Sequence, residues 1–216
     1  CVVCFVLPLI SRENFNTCGV LFQYSITVYR EIATRLCKMS VDERVKKINS
    51  CVKSYPNWPK AGIIFRDLFP VFQKPEVLRN LIDLFKEHIK ENFADVQAIV
   101  GIESRGFLFA PILALELNIS FIPIRKKGKL PGKLRQSSYT LEYGEDTIEI
   151  QEECITPNMK CVIADDLLAT GGTMNAAINL LQQCNADVKE CLVAIELPDL
   201  NGRKKLSVPV FSVLKF

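Results

Sequence analysis

The stretch VIADDLLATGGTMNAA, residues 162–177, sets two carboxylates side by side and two glycines a few positions on. Asp165 and Asp166 repel each other when both are charged. Gly171 and Gly172 cost backbone entropy on folding. The apolar run before them reads as a buried strand, and the residues after them as a helix. In an open α/β sheet, ligands bind beyond the carboxyl ends of the strands, which is where the two aspartates fall. Ala169, Thr170, Gly171, Gly172 and Thr173 then make the turn into the helix. Glycines let a backbone approach an anion closely, and the first helical N–H groups are free to bind it. Threonine hydroxyls add donors. The loop therefore suits a phosphate. The carboxylates suit hydroxyls, or a divalent cation bridging to hydroxyls. Phosphate at one end and a diol nearby describe a ribose 5-phosphate. The loop is not a P-loop, because the Gly-Lys-Ser/Thr ending is missing. A glycine pair alone is an ordinary turn; the ordered combination carries the ligand reading.

Such a site needs a sheet to hold it. Short apolar runs at 96–102, 120–124, 160–166, 189–197 and 208–214 read as strands, with helices expected from Pro75, at about Gly106–Leu117 and from Gly172. Strands alternating with helices imply an α/β fold with a mostly parallel twisted sheet flanked by helices. Between the strands lie a basic loop, RKKGKLPG (125–132), and an alternating segment around a glycine turn, SSYTLEYGEDTIEIQ. The latter reads as a β-hairpin, and Ser137–Ile150 is the candidate flap over the site.

Composition narrows the class. The chain has 216 residues, is 49% hydrophobic and carries a formal net charge of +3. One globular domain with a full core fits that length, and no nucleic-acid footprint is expected. Nine cysteines at irregular spacing argue for free thiols in a reducing, cytoplasmic compartment rather than a disulfide framework or a zinc site. Cys161 and Cys191 sit in apolar runs and read as small core residues. The single histidine, His88, falls in a helical pattern and reads as structural.

Residues 1–38 show no persistent period, and their apolar opening is too short to span a bilayer. The first methionine is Met39. Ser40 and Glu43 then suggest a capping box, and Val41, Val45, Ile48 and Val52 mark one helix face. The expectation is an extension over 1–38 outside the functional fold, and a working domain over 39–216. The rival expectation is a targeting or membrane-associating segment.

VIADDLLATGGT resembles the phosphoribosyl-pyrophosphate signature of the type I phosphoribosyltransferases. PKAGIIFRDLFPV (59–71), GIESRGFLFAPILALEL (101–117) with IRKKGKLPG (124–132), and YTLEYG (139–144) look like the adenine phosphoribosyltransferases within that family. The resemblance runs in order from about Val41 to the C-terminus. It implies transfer of phosphoribosyl from phosphoribosyl pyrophosphate to adenine, giving AMP and pyrophosphate, with Mg²⁺ bound mainly through substrate. It implies a homodimer with no nucleic-acid or membrane partner. By the family pattern, Ala169–Thr173 hold the 5-phosphate and Asp165 and Asp166 face the ribose hydroxyls. Ser104 and Arg105 meet pyrophosphate across a cis peptide after Glu103, together with Arg125, Lys126 and Lys129. Ile64, Phe65 and Arg66 line the adenine site, with Leu167 on the base's other face. Glu142 is the matched candidate for proton transfer, and Tyr143 belongs to a mobile hood. Glu103 and Ala110 depart mildly from the family, which carries Asp and Gly there in some members. Transfer to another purine and a non-catalytic sensor of the same ligands stand as alternatives.

Overall fold

The computed structural model describes residues 39–141 and 144–216. Residues 1–38, and the expectation of an N-terminal extension, lie outside the described residues. So do Glu142 and Tyr143.

Val41–Phe216 pack as one compact unit. Helix α1 (Val41–Cys51) leads into a two-stranded antiparallel ribbon, β1 (Lys53–Pro56) and β2 (Ile64–Asp67). A short helix α2 (Phe69–Phe72) and a long helix α3 (Pro75–Asn92) follow. Then come β3 (Ala98–Ile102), a 3-10 turn (Arg105–Leu108), α4 (Ala110–Leu117) and β4 (Ser120–Lys126). The hairpin β5 (Leu134–Leu141) and β6 (Gly144–Gln151) precedes β7 (Lys160–Leu168), α5 (Gly172–Gln183), β8 (Asp187–Glu196) and β9 (Val210–Lys215).

The main sheet has seven strands in the order β5-β6-β4-β3-β7-β8-β9. The run from β4 to β9 is parallel, and the β5–β6 hairpin closes one edge in antiparallel pairing. The expected α/β sheet and hairpin are therefore present. Period-two alternation divides the core. Ile99 on β3 faces one cluster, with Phe85, Phe109 and Leu113, while Ala98, Val100 and Ile102 face the other, with Ile163, Ile178 and Leu181. A sheet covered on both faces explains why every residue of β3 is buried.

Three boundaries differ from the sequence expectation. The buried face of α1 is Arg44, Ile48 and Cys51, and Val41 is exposed. Arg44 lies inward because its guanidinium reaches Glu87 on α3 at 2.6 Å, which lets its aliphatic stem cover apolar surface. Strand β7 runs two residues past the aspartates, because Leu167 and Leu168 still pair with Ile195 and Glu196 on β8. Strand β4 takes in Arg125 and Lys126, the first residues of the expected basic loop, because they pair with Glu149 and Ile148 on β6.

His88 is structural, as its pattern suggested. Its Nε2 lies 2.6 Å from the buried Glu190 carboxylate and its ring stacks on Phe211, 3.8 Å between centroids. Cys161 and Cys191 are fully buried in the core, and burial pushes the Cys161 thiol up to about 12. Among the described residues, no helix is long and apolar enough to cross a membrane.

Candidate active site

A cleft of about 440 Å³ opens beyond the carboxyl ends of β3 and β7. Its floor is the end of β7 and the loop into α5; its walls are the 3-10 turn after β3 and the inner side of the β5–β6 hairpin. Ser104, Arg105, Lys126, Asp165, Asp166, Leu167 and the run Ala169, Thr170, Gly171, Gly172 and Thr173 all line it.

Asp166 is buried, and Arg105 Nε reaches its Oδ2 at 3.0 Å. That pairing depends on Gly106. A Cβ there would lie 2.7 Å from the Ala164 carbonyl oxygen, so only glycine lets the turn come down onto β7. The Glu103–Ser104 peptide just before the turn is cis. Asp165 Oδ1 accepts the N–H of Asp166 at 2.9 Å. Removal from water, and then the charge of Asp166, push the Asp165 carboxyl well above its usual range. Burial raises Asp166 as well, opposed by the Arg105 charge. Two carboxylates that resist ionisation side by side are a receptor for cations or hydroxyl donors.

Gly171 has φ of +80° and precedes the first turn of α5. The first N–H groups of a helix have no partner four residues back, so this end of α5 faces the cleft with free donors and the positive end of its dipole.

The basic loop is organised by carboxylates. Arg125 donates from Nε and Nη2 to Glu103, both at 3.2 Å, and from Nη1 to the Lys129 carbonyl at 3.2 Å. Its hydrogen bond holds the Glu103 carboxyl below the usual range. Glu149, fully buried, accepts the backbone N–H groups of Lys129 and Leu130 at 2.8 and 2.9 Å and Gln136 Nε2 at 3.1 Å. Burial alone would raise Glu149, but these donors outweigh it and hold it low. Neither Arg125 nor Lys129 is among the residues lining the cleft; Arg125 turns to Glu103, and the Lys129 backbone is held by Glu149 and Arg125. Lys126 does line it, and its Nζ lies 3.1 Å from Asp146 Oδ2. The Tyr139 hydroxyl donates to the same oxygen at 3.2 Å.

The β1–β2 ribbon supplies a second, more open cavity of about 510 Å³, lined by Tyr55, Trp58, Phe65 and Asp67 among others. Trp58 meets Phe65 edge-on, 4.4 Å between centroids. Ile64 is exposed. Arg66 does not enter either cavity. Its Nη1 donates to Ser54 Oγ at 2.5 Å and its guanidinium lies 4.4 Å over the Phe216 ring. Arg105 joins the two cavities, paired with Asp166 on one side and 5.8 Å from the Phe65 ring centroid on the other.

Sequence reasoning missed Tyr139, Asp146, Glu149 and Met174. Tyr139 and Asp146 are direct cross-strand partners, so the hairpin register was the signal that finds them. Met174 lines the cleft from the first turn of α5.

Comparison with known proteins follows the same outline. The Phosphoribosyl transferase domain family matches residues 71–214. The adenine phosphoribosyltransferase of Drosophila pseudoobscura pseudoobscura is 45% identical over 181 residues, 84% of this chain and 100% of that protein. The chain belongs to the adenine phosphoribosyltransferase family. The human adenine phosphoribosyltransferase is 45% identical over 177 residues, 81% of this chain and 98% of its own. Among solved adenine phosphoribosyltransferases, that of Saccharomyces cerevisiae superposes with a TM-score of 0.78 at 43% identity, covering 80% of this chain and 99% of its own. It was crystallised with adenine and an imino-altritol bisphosphate. The Trypanosoma brucei enzyme, at 31% identity and a TM-score of 0.74, covers 80% of this chain and 79% of its own, and holds AMP, pyrophosphate and ribose 5-phosphate.

Proposed function

We propose that this chain is a purine salvage enzyme that transfers phosphoribosyl from phosphoribosyl pyrophosphate to adenine, releasing AMP and pyrophosphate. The observation that carries this is one cleft holding the Asp165–Asp166 pair, the Gly171–Gly172 helix start, and the cations Arg105 and Lys126 together.

The 5-phosphate rests on Ala169–Thr173, and the ribose hydroxyls face Asp165 and Asp166. Ser104, Arg105 and Lys126 meet the pyrophosphate, while Arg125 and Lys129 hold the basic loop in place beside it. Adenine lies between the Ile64–Arg66 segment, chiefly Phe65, and Leu167. As the bond to pyrophosphate breaks, positive charge develops on the ribose ring and negative charge on the leaving group. Fixed cations aimed at the leaving group lower that barrier. Glu142 assists adenine in losing a proton. The β5–β6 hairpin, with Tyr143 as the hood residue that the family resemblance implies, excludes water that would hydrolyse the sugar.

The site fits Mg²⁺ by donor chemistry. Asp165 and Asp166 offer hard oxygen donors whose mutual repulsion a cation relieves. Among the described residues, no group of three His, Cys, Asp or Glu side chains gathers around one point, and on this reading the ion would be held mainly through substrate. Bound there, Mg²⁺ supplies neutralising charge to the pyrophosphate.

The working domain on this reading is residues 39–216, with 1–38 an extension. What supports it is the sequence pattern, a helix face and capping signal that begin at Ser40 and Val41. The assembly is a homodimer, as the family resemblance implies. The compartment is the cytoplasm, in keeping with free thiols at Cys51, Cys154, Cys161, Cys184 and Cys191.

The test is AMP formation by the full chain from adenine, phosphoribosyl pyrophosphate and Mg²⁺, with hypoxanthine and guanine in parallel. Turnover confined to adenine is expected, and Glu142→Gln then lowers kcat with little change in KM. A folded chain that binds phosphoribosyl pyrophosphate yet turns over no base would overturn the enzymatic reading.

A further inference from the structure

The loop that receives the 5-phosphate rests directly on another backbone. A Cβ on Gly202 would lie 2.1 Å from the Ala169 carbonyl oxygen and 2.9 Å from the Gly171 nitrogen. A Cβ on Gly171 would lie 2.5 Å from the Gly202 carbonyl oxygen. No side chain fits between them from either side. Gly202 is buried and opens the 3-10 turn Gly202–Lys205.

The next residue fixes that turn. Arg203 donates from Nε and Nη2 to the two carboxylate oxygens of Glu196, at 2.9 and 2.6 Å. Its Nη1 donates to the Val210 carbonyl at 2.6 Å. Ser212 Oγ donates to Glu196 Oε2 at 2.7 Å. Glu196 is buried, the last residue of β8, paired with Leu168 on β7 and Lys215 on β9. The Leu197 N–H also donates to the Leu168 carbonyl at 2.9 Å. The clamp thus grips β7 at the point where the phosphate loop leaves it. Arg203 holds Glu196 with a planar two-point fork and a third bond to β9, a geometry lysine cannot reproduce. The Arg203 bonds hold the Glu196 carboxyl down at about 2, so it stays charged through the physiological range.

We propose that Arg203 and Glu196 are positioning residues for the 5-phosphate: they press Gly202 against Ala169–Gly171 and so preset the loop's donors before the ligand arrives. Neither touches substrate. The proposal rests on assigning Ala169–Thr173 to the phosphate, and preorganisation of this kind appears as ligand affinity.

The test uses ribose 5-phosphate binding by calorimetry, steady-state kinetics, and amide exchange at Gly171–Thr173, in the full chain. The variants are Arg203→Met, Arg203→Lys, Glu196→Gln and Gly202→Ala. Arg203→Met and Gly202→Ala are expected to weaken ribose 5-phosphate about 10-fold, the equivalent of one hydrogen bond to a charged group, and to raise the KM for phosphoribosyl pyrophosphate alike. The KM for adenine stays unchanged, and exchange at Gly171–Thr173 quickens. Arg203→Lys recovers part of the loss. Where Arg203→Met does not fold, Arg203→Lys, which keeps the charge but gives up the fork, and Ser212→Ala, which removes one contact to Glu196, read the same quantities. Lower Tm with unchanged ribose 5-phosphate affinity and exchange would make the clamp a stabiliser only and overturn the proposal. Wild-type protein that does not bind ribose 5-phosphate overturns the phosphate assignment and this proposal together. Wild-type binding with equal binding by the variants overturns this proposal alone.

Discussion

On the proposed ribose-phosphate side Asp166 is 4% exposed, ion-paired to Arg105, and next to a loop wedged against Gly202; on the proposed base side Ile64 and Trp58 are 51% and 53% exposed. The first side is the carboxyl end of β7, an interior strand of the seven-stranded sheet whose backbone is fixed by pairing with β3 on one flank and β8 on the other. The second is a two-stranded ribbon, a structure that is marginal unless packed on something else. Phosphate and diol recognition needs charges held apart from water in one geometry. A flat aromatic base is gripped by apolar surface that can close over it. The difference teaches that errors on the sheet side cost catalysis and folding together, whereas changes on the ribbon alter base binding at little cost to the fold.

Asp166→Ala tests the rigid side hardest. It removes a proposed diol contact and leaves Arg105 without its hydrogen-bonded carboxylate. We expect kcat/KM to fall about 10³-fold or more, with a lower Tm, since losing a hydrogen bond to a charged, partly exposed Arg105 costs roughly 1.5–3 kcal/mol. A loss confined to KM, with stability untouched, would break the comparison.

Asp165→Asn separates function from stability on the same side. Activity should fall about 10²-fold, through loss of a charged partner for the diol. Asp165 titrates above its unfolded value, so its folded-state stabilisation is present at low pH and is lost as pH rises through the raised value. The asparagine escapes that loss. Near neutral pH the ligand-free variant should melt about 2 °C or more above wild type, and the gain should vanish in acid. Calorimetry across pH checks it; a variant less stable at neutral pH would mean that Asp165 is not held against its own charge.

Phe65→Ala probes the ribbon. The KM for adenine should rise about 10-fold, while the KM for phosphoribosyl pyrophosphate holds and stability drops by ~1 kcal/mol, the scale of its edge-on contact with Trp58. Equal effects on both KM values would show that the two sides are not separable. Lys126→Met gives the smallest effect. Its pair with Asp146 is largely exposed on the lysine side, so stability should stay within ~0.5 kcal/mol, and only the KM for phosphoribosyl pyrophosphate should rise, by a few-fold. A large stability loss would place Lys126 with the rigid side.

Asp165, Asp166 and Ala169–Thr173 were legible because strand, carboxylates, glycines and helix start fall within one continuous stretch, and the chemistry of a strand-to-helix turn is local. The alternating sheet was legible for the same reason, since burial on both faces writes continuous apolar runs into the strands. Arg125 and Lys129 read from sequence as contacts to pyrophosphate. The fold turns Arg125 to Glu103 and hands the Lys129 backbone to Glu149, partners 22 and 20 residues away. Of the expected helix face, Val45, Ile48 and Val52 do pack on the core, and only Val41, at the first turn of the helix, is exposed.

The sequence by itself determined the α/β class, the strand that carries the aspartates, and the glycine turn that follows, because each is specified by neighbours along the chain. Only the tertiary structure decided that Tyr139 and Asp146 meet across the hairpin, that Arg105 bridges the two cavities, and that Gly202 and Arg203 stand behind the phosphate loop. Those contacts depend on strand order and register, which set distances between residues far apart in sequence and leave no local periodicity to read.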